Sequence, residues 1–232
     1  MVNIIELDTV VVRWISVSEM ENNVYLLTHR ETGAQVLIDA AADPDAIAEL
    51  ITTGVKDAAG AADLRAIITT HQHWDHIRAL SELSQAHPEA VALAGSEDAG
   101  AIMEAVGVEI DRTVEHLDEL DFDGIELKAI ALRGHTPGSR AFVLRDRAKG
   151  DTRQAQAGRD QPATILFSGD SLFPGGPGKT WSSADFTSLM DDLEARVFSE
   201  LPDETRVLPG HGAETTLGAE RPHLDQWRAR GW

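Results

Sequence analysis

Cysteine is absent from the 232 residues. That excludes disulfides and thiolate metal ligands together, so any metal site must be built from His, Asp or Glu. Basic residues are scarce: 20 Lys and Arg stand against 39 Asp and Glu, for a formal charge of −19. Such a field repels phosphate backbones, which proteins grip with clusters of Lys and Arg, and no such cluster occurs. Nucleic acid is therefore not an expected partner, and the acidity serves solubility. Long apolar runs are missing too; none approaches the roughly 20 residues that cross a bilayer, and no membrane association is expected. The opening MVNIIELDTVVVRWIS shows no basic segment followed by an apolar stretch and a small-residue cleavage site. It reads as a first strand, and a cytoplasmic location is the expectation. Oligomeric state is not legible.

What is present is a repeating texture of strands and helices. VVVRWISV and VYLLTH are apolar and β-branched, ETG after His29 supplies a turn, and QVLIDA returns as a buried strand ending at Asp39. A helix follows, with Asp43 as cap, Pro44 at its first position and Gly54 past its end. LRAIITT is another buried strand. DHIRALSELSQAH has helical spacing, and SEDAGAIMEAVG is a second helix with Ser96 as its expected cap. IELKAIALRGH, RAFVLRD and ATILFSGD then read as strands, DFTSLMDDLEARVFSEL as an amphipathic helix, RVLPGHG as strand plus loop, and LDQWRARGW as a last helix. Two α/β halves with sheets face to face and helices outside are expected, as one domain over 1–232. The polar stretch from Arg147 to Pro162 lacks periodicity and is expected to be an exposed hairpin loop.

The densest chemistry lies in THQHWDHIRAL, residues 70–80. His71 and His73 sit at a strand end, where residues two apart point to one face and can reach one ion. Asp75 and His76 lie where the backbone turns, and can converge on a second. Three further candidates each follow a buried strand and adjoin glycine: His135 in RGHTPGS, Asp170 in FSGDSLF and His211 in LPGHGAE. Small neighbours let the backbone approach closely. His29, His87, His116 and His223 lack such partners and are expected to face solvent.

The ordered set THQHWDH, GHTPGS, SGDSLF and PGHG resembles the metallo-β-lactamase superfamily over most of the chain. The resemblance implies a four-layer αββα sandwich with a two-metal site at one sheet edge. It assigns His71, His73 and His135 to one divalent ion, Asp75, His76 and His211 to the other, and Asp170 to both. Asp39 resembles an acidic residue that supports the site from behind. Zinc is the expected metal, with iron or manganese compatible with the same donors. Two ions about 3.5–4 Å apart lower the pKa of a shared water toward about 7, so a bridging hydroxide would attack a substrate carbonyl, with Asp75 and Asp170 as the carboxylates of the catalytic centre.

Within the superfamily, D-S-L-F-P-G-G-P-G-K-T-W is similar to a segment of the glyoxalase II-like (hydroxyacylglutathione hydrolase-like) branch. The resemblance implies that Lys179 contacts a substrate carboxylate and Trp181 lines the thiol-carrier pocket. A small-molecule thioester is the expected substrate. A lactone or other oxygen ester is the alternative within the fold, and a mononuclear iron persulfide dioxygenase the alternative in another reaction class. No counterpart of the C-terminal helical domain of full glyoxalase II enzymes is expected, which leaves the thiol carrier open.

Overall fold

The computed structural model describes residues 2–146 and 163–231; the hairpin loop expected over 147–162 lies outside them. The first half builds a seven-stranded sheet in sequence order: β1 (Asn3–Glu6), β2 (Val10–Val17), β3 (Asn22–His29), β4 (Ala34–Ile38), β5 (Asp63–Thr69), β6 (Val91–Gly95) and β7 (Arg112–Val114). The second half builds a six-stranded sheet from β8 (Glu119–Phe122), β9 (Ile125–Ala131), β10 (Arg140–Asp146), β11 (Ala163–Gly169), β14 (Arg206–Pro209) and β15 (Thr215–Thr216). Between β11 and β14 lies a small hairpin, β12 (Leu172–Phe173) with β13 (Gly176–Pro177).

Alternation along the strands decides the layers. Val10, Val12, Tyr25, Leu27, Val36 and Ile38 point from the first sheet into a core completed by Leu127, Phe142, Phe167 and Leu208 of the second. The intervening residues Val24, Leu26, Leu37 and Ile67 face the other way and pack on helices. Those helices are α1 (Pro44–Gly54), α2 (Leu80–Ala86) and α3 (Ser96–Val106). The outer face of the second sheet is covered by α4 (Ser183–Leu193) and, after the short α5 (Leu217–Glu220), α6 (Leu224–Arg230), through Leu189, Leu193 and Trp227. The architecture is thus helix, sheet, sheet, helix. The face-to-face sheets expected from the sequence are present.

Local signals hold with small corrections. Asp43 caps α1, accepting a bond from the Ala46 N–H at 3.2 Å, and Pro44 opens the helix; such a cap contributes about 1 kcal/mol. Gly54 is the last helical residue rather than the first beyond it. Ser96 is the first residue of α3 and not its cap; its hydroxyl reaches only the Glu97 side chain. His29 does not face solvent. It is buried, with Nδ1 2.9 Å from the Thr32 hydroxyl and its ring packed on Gly124. His116 is half-buried and accepts a bond from the Ala131 N–H, while His87 is half-buried and His223 exposed.

Strand direction gathers the functional residues. β4, β5 and β6 run parallel, so their C-terminal ends lie at one sheet edge. In the second sheet β9 is antiparallel to β10, β10 to β11, and β11 parallel to β14; β9, β11 and β14 therefore also end together. Main-chain bonds join the two edges: Arg140 N–H to Thr70 O at 2.9 Å and Asn23 N–H to Gly210 O at 2.8 Å. Tyr25 adds a side-chain tie, donating to Pro209 O at 2.6 Å while its ring meets Phe167 edge-on at 5.1 Å.

Candidate metal centre

Each expected ligand leaves the end of a strand at this joined edge. His71 follows β5, and a single turn of 3₁₀ helix over Trp74–His76 swings Asp75 and His76 back under it. His135 follows β9, Asp170 follows β11 and His211 follows β14. All seven meet. His71, His73 and His135 form one group of potential ligand atoms within 4.8 Å of one another, Asp75, His76 and His211 a second, and His71, His76 and Asp170 a third that joins them.

Four of the five histidines, His71, His76, His135 and His211, present Nε2 inward and anchor Nδ1. His71 Nδ1 lies 3.0 Å from the Thr70 hydroxyl, and His76 Nδ1 2.9 Å from Asp39 Oδ2. His135 Nδ1 donates to Lys179 O and His211 Nδ1 to Met20 O, both at 2.7 Å. Anchoring of the outer nitrogen fixes the tautomer and leaves the inner lone pair for an ion. The inner nitrogens crowd together: His71 Nε2 to His135 Nε2 is 3.3 Å, His71 Nε2 to His73 Nδ1 3.1 Å, and His76 Nε2 to His211 Nε2 3.1 Å. Two ligand atoms about 2.0–2.1 Å from one tetrahedral ion are roughly 3.4 Å apart, so the spacing fits shared cations.

Asp170 stands between the groups. Its Oδ2 is 3.6 Å from His135 Nε2 and 3.4 Å from His211 Nε2, and its Oδ1 is 3.4 Å from His76 Nε2. That Oδ1 is buried without a hydrogen-bond partner among the described residues, a costly state for a carboxylate oxygen. A cation held between the groups would supply that partner.

The electrostatics divide the centre in two. Burial, reinforced by His76, holds the His71 pKa well below the ordinary imidazole value. Burial and the neighbouring His135 bring His73 down to about 4, and burial also lowers His135. These three imidazoles are neutral near pH 7 and ready to coordinate. Burial opposes a proton on His76 as well, but Asp39 and Asp170 outweigh it and raise its pKa to about 10. His211 likewise overcomes burial through Asp170 and Asp75 and is raised to about 10. Asp75 and Asp170 are both held below the usual carboxylate range, against burial, by His211 and His76. Positive charge is thus sought where the carboxylates gather, and cations meet that demand by displacing protons.

Around this inner set lie residues that sequence reading singled out less well or missed. Asp39 occupies the left-handed region (φ 60°) at the end of β4. Its Oδ1 accepts the Thr70 N–H, and its Oδ2 accepts the Thr70 hydroxyl, each at 2.8 Å, beside the His76 bond. It is a buried support for His71 and His76 at once. Asn22, Thr70 and Asp98 went unread: they are single polar residues without a spacing signature, and only the tertiary fold brings them to the centre. At the mouth, Lys179 and Trp181 are exposed, with Nζ 4.4 Å from the centre of the indole. The indole Nε1–H donates to His135 O at 3.2 Å and its ring meets His73 edge-on at 6.2 Å.

The fold and the centre define a class: an αββα sandwich carrying a His/Asp site for divalent metal where its two sheets join. The chain belongs to the metallo-beta-lactamase superfamily, whose family pattern matches residues 18–147. Among curated relatives, it is 30% identical over 214 residues to the hydroxyacylglutathione hydrolase of Thermosynechococcus vestitus, covering 89% of this chain and 72% of the relative. It is 31% identical over 191 residues to a hydroxyacylglutathione hydrolase-like protein of Mus musculus, covering 82% of this chain and 58% of that one. The chain therefore spans between 58% and 72% of the length of these two relatives. Among solved structures, ETHE1 from Myxococcus xanthus superposes with a TM-score of 0.72 at 25% identity, covering 94% of this chain and 84% of that one. TTHA1623 in a di-iron-bound form gives 0.63 at 29% identity, covering 90% and 96%. No helix among the described residues is long and apolar enough to cross a membrane.

Proposed function

We propose that the protein is a dinuclear metal-dependent hydrolase acting on a small-molecule thioester. The observation that carries this reading is the set of four imidazoles anchored outward through Nδ1, their Nε2 atoms converging around the unpartnered Oδ1 of Asp170. His71, His73 and His135 would hold one ion, Asp75, His76 and His211 the other, with Asp170 touching both. Two divalent cations there would supply Lewis acidity and water acidic enough to attack a carbonyl near neutral pH.

The chain's own residues do the rest. Asp75 and Asp170 offset positive charge that would otherwise drive two cations apart. The outer anchors on Thr70, Asp39, Lys179 and Met20 keep the imidazoles from turning, so the donor set is preorganised before any substrate arrives. Lys179 presents a mobile point charge to an anionic group of the substrate, and the exposed face of Trp181 offers an apolar wall beside His73. Thioester hydrolysis is favoured over other chemistry on this centre by that loop and by the hydroxyacylglutathione hydrolases among the relatives.

The test is metal analysis joined to a substrate panel. The expected result is about two ions per chain and hydrolysis of thioesters ahead of lactones and β-lactams. Lys179→Ala is expected to raise KM for anionic thioesters with little change in kcat, the signature of lost ground-state binding. One iron per chain with O₂ uptake on a persulfide would overturn the hydrolase reading.

A glycine offers an independent check on the ligand geometry. A Cβ on Gly210 would stand 2.2 Å from Asp170 Oδ1 and 2.7 Å from His76 Cε1. Gly210→Ala is therefore expected to lose most bound metal while its circular dichroism matches wild type. Full metal content in that variant would show that Asp170 and His76 are not held where the ions bind.

A further inference from the structure

Two groups outside the ligand set divide it unequally. Asp98, the third residue of α3, is fully buried. Its Oδ2 accepts the Gln72 N–H at 3.0 Å and the Thr136 hydroxyl at 2.6 Å, and its Oδ1 accepts the Gly138 N–H at 2.7 Å. Gln72 lies between His71 and His73, and Thr136 follows His135. One carboxylate therefore ties together the two loops that carry all three residues of the first group. The packing leaves no slack: a Cβ on Gly138 would stand 2.6 Å from the Asp98 carboxyl carbon.

The second group has a different tie. Asn22, buried at the start of β3, donates from Nδ2 to Asp75 Oδ2 at 3.0 Å, and the same nitrogen lies 3.3 Å from His211 Nε2. Its amide is oriented by the Ser18 hydroxyl, which donates to Asn22 Oδ1 at 2.6 Å. Asn23 beside it clasps the His211 loop, donating from Nδ2 to Pro209 O at 3.0 Å and to Gly212 O at 2.9 Å. Neither Asp98 nor Asn22 bonds to the other's group among the described residues. Asp39, by contrast, reaches His71 through Thr70 and His76 directly, and so belongs to both.

We infer that Asp98 and Asn22 are separate positioning residues, Asp98 for the ion at His71, His73 and His135 and Asn22 for the ion at Asp75, His76 and His211. Each ion can then be weakened alone. The inference rests on the ligand assignment proposed above. The physical reason is the cost of misplacing a ligand: loss of an outer partner typically weakens metal binding about 10–100-fold. In Asp98→Asn, the amide nitrogen replaces an oxygen that accepts from an N–H or a hydroxyl, so a donor faces a donor and the two loops separate. In Asn22→Ala, Asp75 and the His211 loop lose their shared tie while the bonds from Gln72, Thr136 and Gly138 to Asp98 are untouched.

The experiment compares wild type with Asp98→Asn and the milder Thr136→Val, and with Asn22→Ala and the milder Ser18→Ala, each loaded with zinc. Occupancy at each position is read from zinc-edge anomalous diffraction, and dissociation constants from competition with a chromophoric chelator. The expected pattern is reciprocal. The first pair of variants weakens the first position about 10–100-fold and the second pair the other position, each leaving the remaining ion in place. A structural role alone would lower both occupancies together in all four variants, and that result would sink the inference. Unchanged affinity in all four would also sink it. Wild type that holds fewer than two ions would instead overturn the ligand assignment itself, and the inference with it.

Discussion

Asp170→Ala is expected to empty the centre and abolish turnover together. Its carboxylate reaches both groups of ligands: its two oxygens stand within 3.4–3.6 Å of His76, His135 and His211. Removing it takes away negative charge where two cations would sit and leaves three imidazoles without the group that spaces them. Loss of a mere outer partner costs about 10–100-fold in affinity or activity, so loss of the shared carboxylate should exceed the upper end of that range. The check is metal content after dialysis, read beside the thioester rate. Asp170→Ala with two ions and full turnover would remove Asp170 from the centre.

Asp39→Asn is expected to act on both ions without touching either. Asparagine tolerates the left-handed backbone that Asp39 adopts, so the strand end should keep its path. What changes is the acceptor count. Asp39 takes bonds from the Thr70 N–H, the Thr70 hydroxyl and His76 Nδ1; an amide offers one oxygen and turns a donor toward the rest. A donor left unpaired in the interior costs about 1–3 kcal/mol, and each kcal/mol is about 2–4 °C in Tm for a chain of this size. Both dissociation constants should weaken, in contrast to the single-ion effect expected of Asp98→Asn. Calorimetry and chelator competition measure the two consequences separately. Wild-type affinity at both positions would show that the imidazoles hold their orientation unaided.

The candidate ligands were legible in the sequence because coordination chemistry leaves a local trace. Histidines two apart at a strand end, and glycines beside His135, Asp170 and His211, are short-range signals. The layered fold was legible for a similar reason, since the alternation in VVVRWISV and the cap at Asp43 are written in neighbouring residues. What escaped is whatever depends on distant segments. Asp98 reads as one more acid in the first turn of a helix, where the helix dipole alone would explain it. Only α3 docking beneath the His135 loop gives it three donors. Asn22 reads as the polar edge of a strand, and His29 as a surface residue before a turn; tertiary packing buries both. The short strands β6, β7 and β8 also went unread, because VALAG and RTV carry too few residues for alternation to show.

The meeting of two sheet edges has a mechanical consequence. His71, His73, Asp75 and His76 come from the first sheet's side, and His135, Asp170 and His211 from the second. Ions held among them would act as cross-links between residues up to 140 positions apart in a chain that has no cysteine with which to make any. Unlike disulfides, these fastenings are reversible and set by the free metal around the protein, since whatever binds only the folded state stabilises it by mass action. The rigidity of the sandwich at this edge then becomes a property of its surroundings as much as of its sequence.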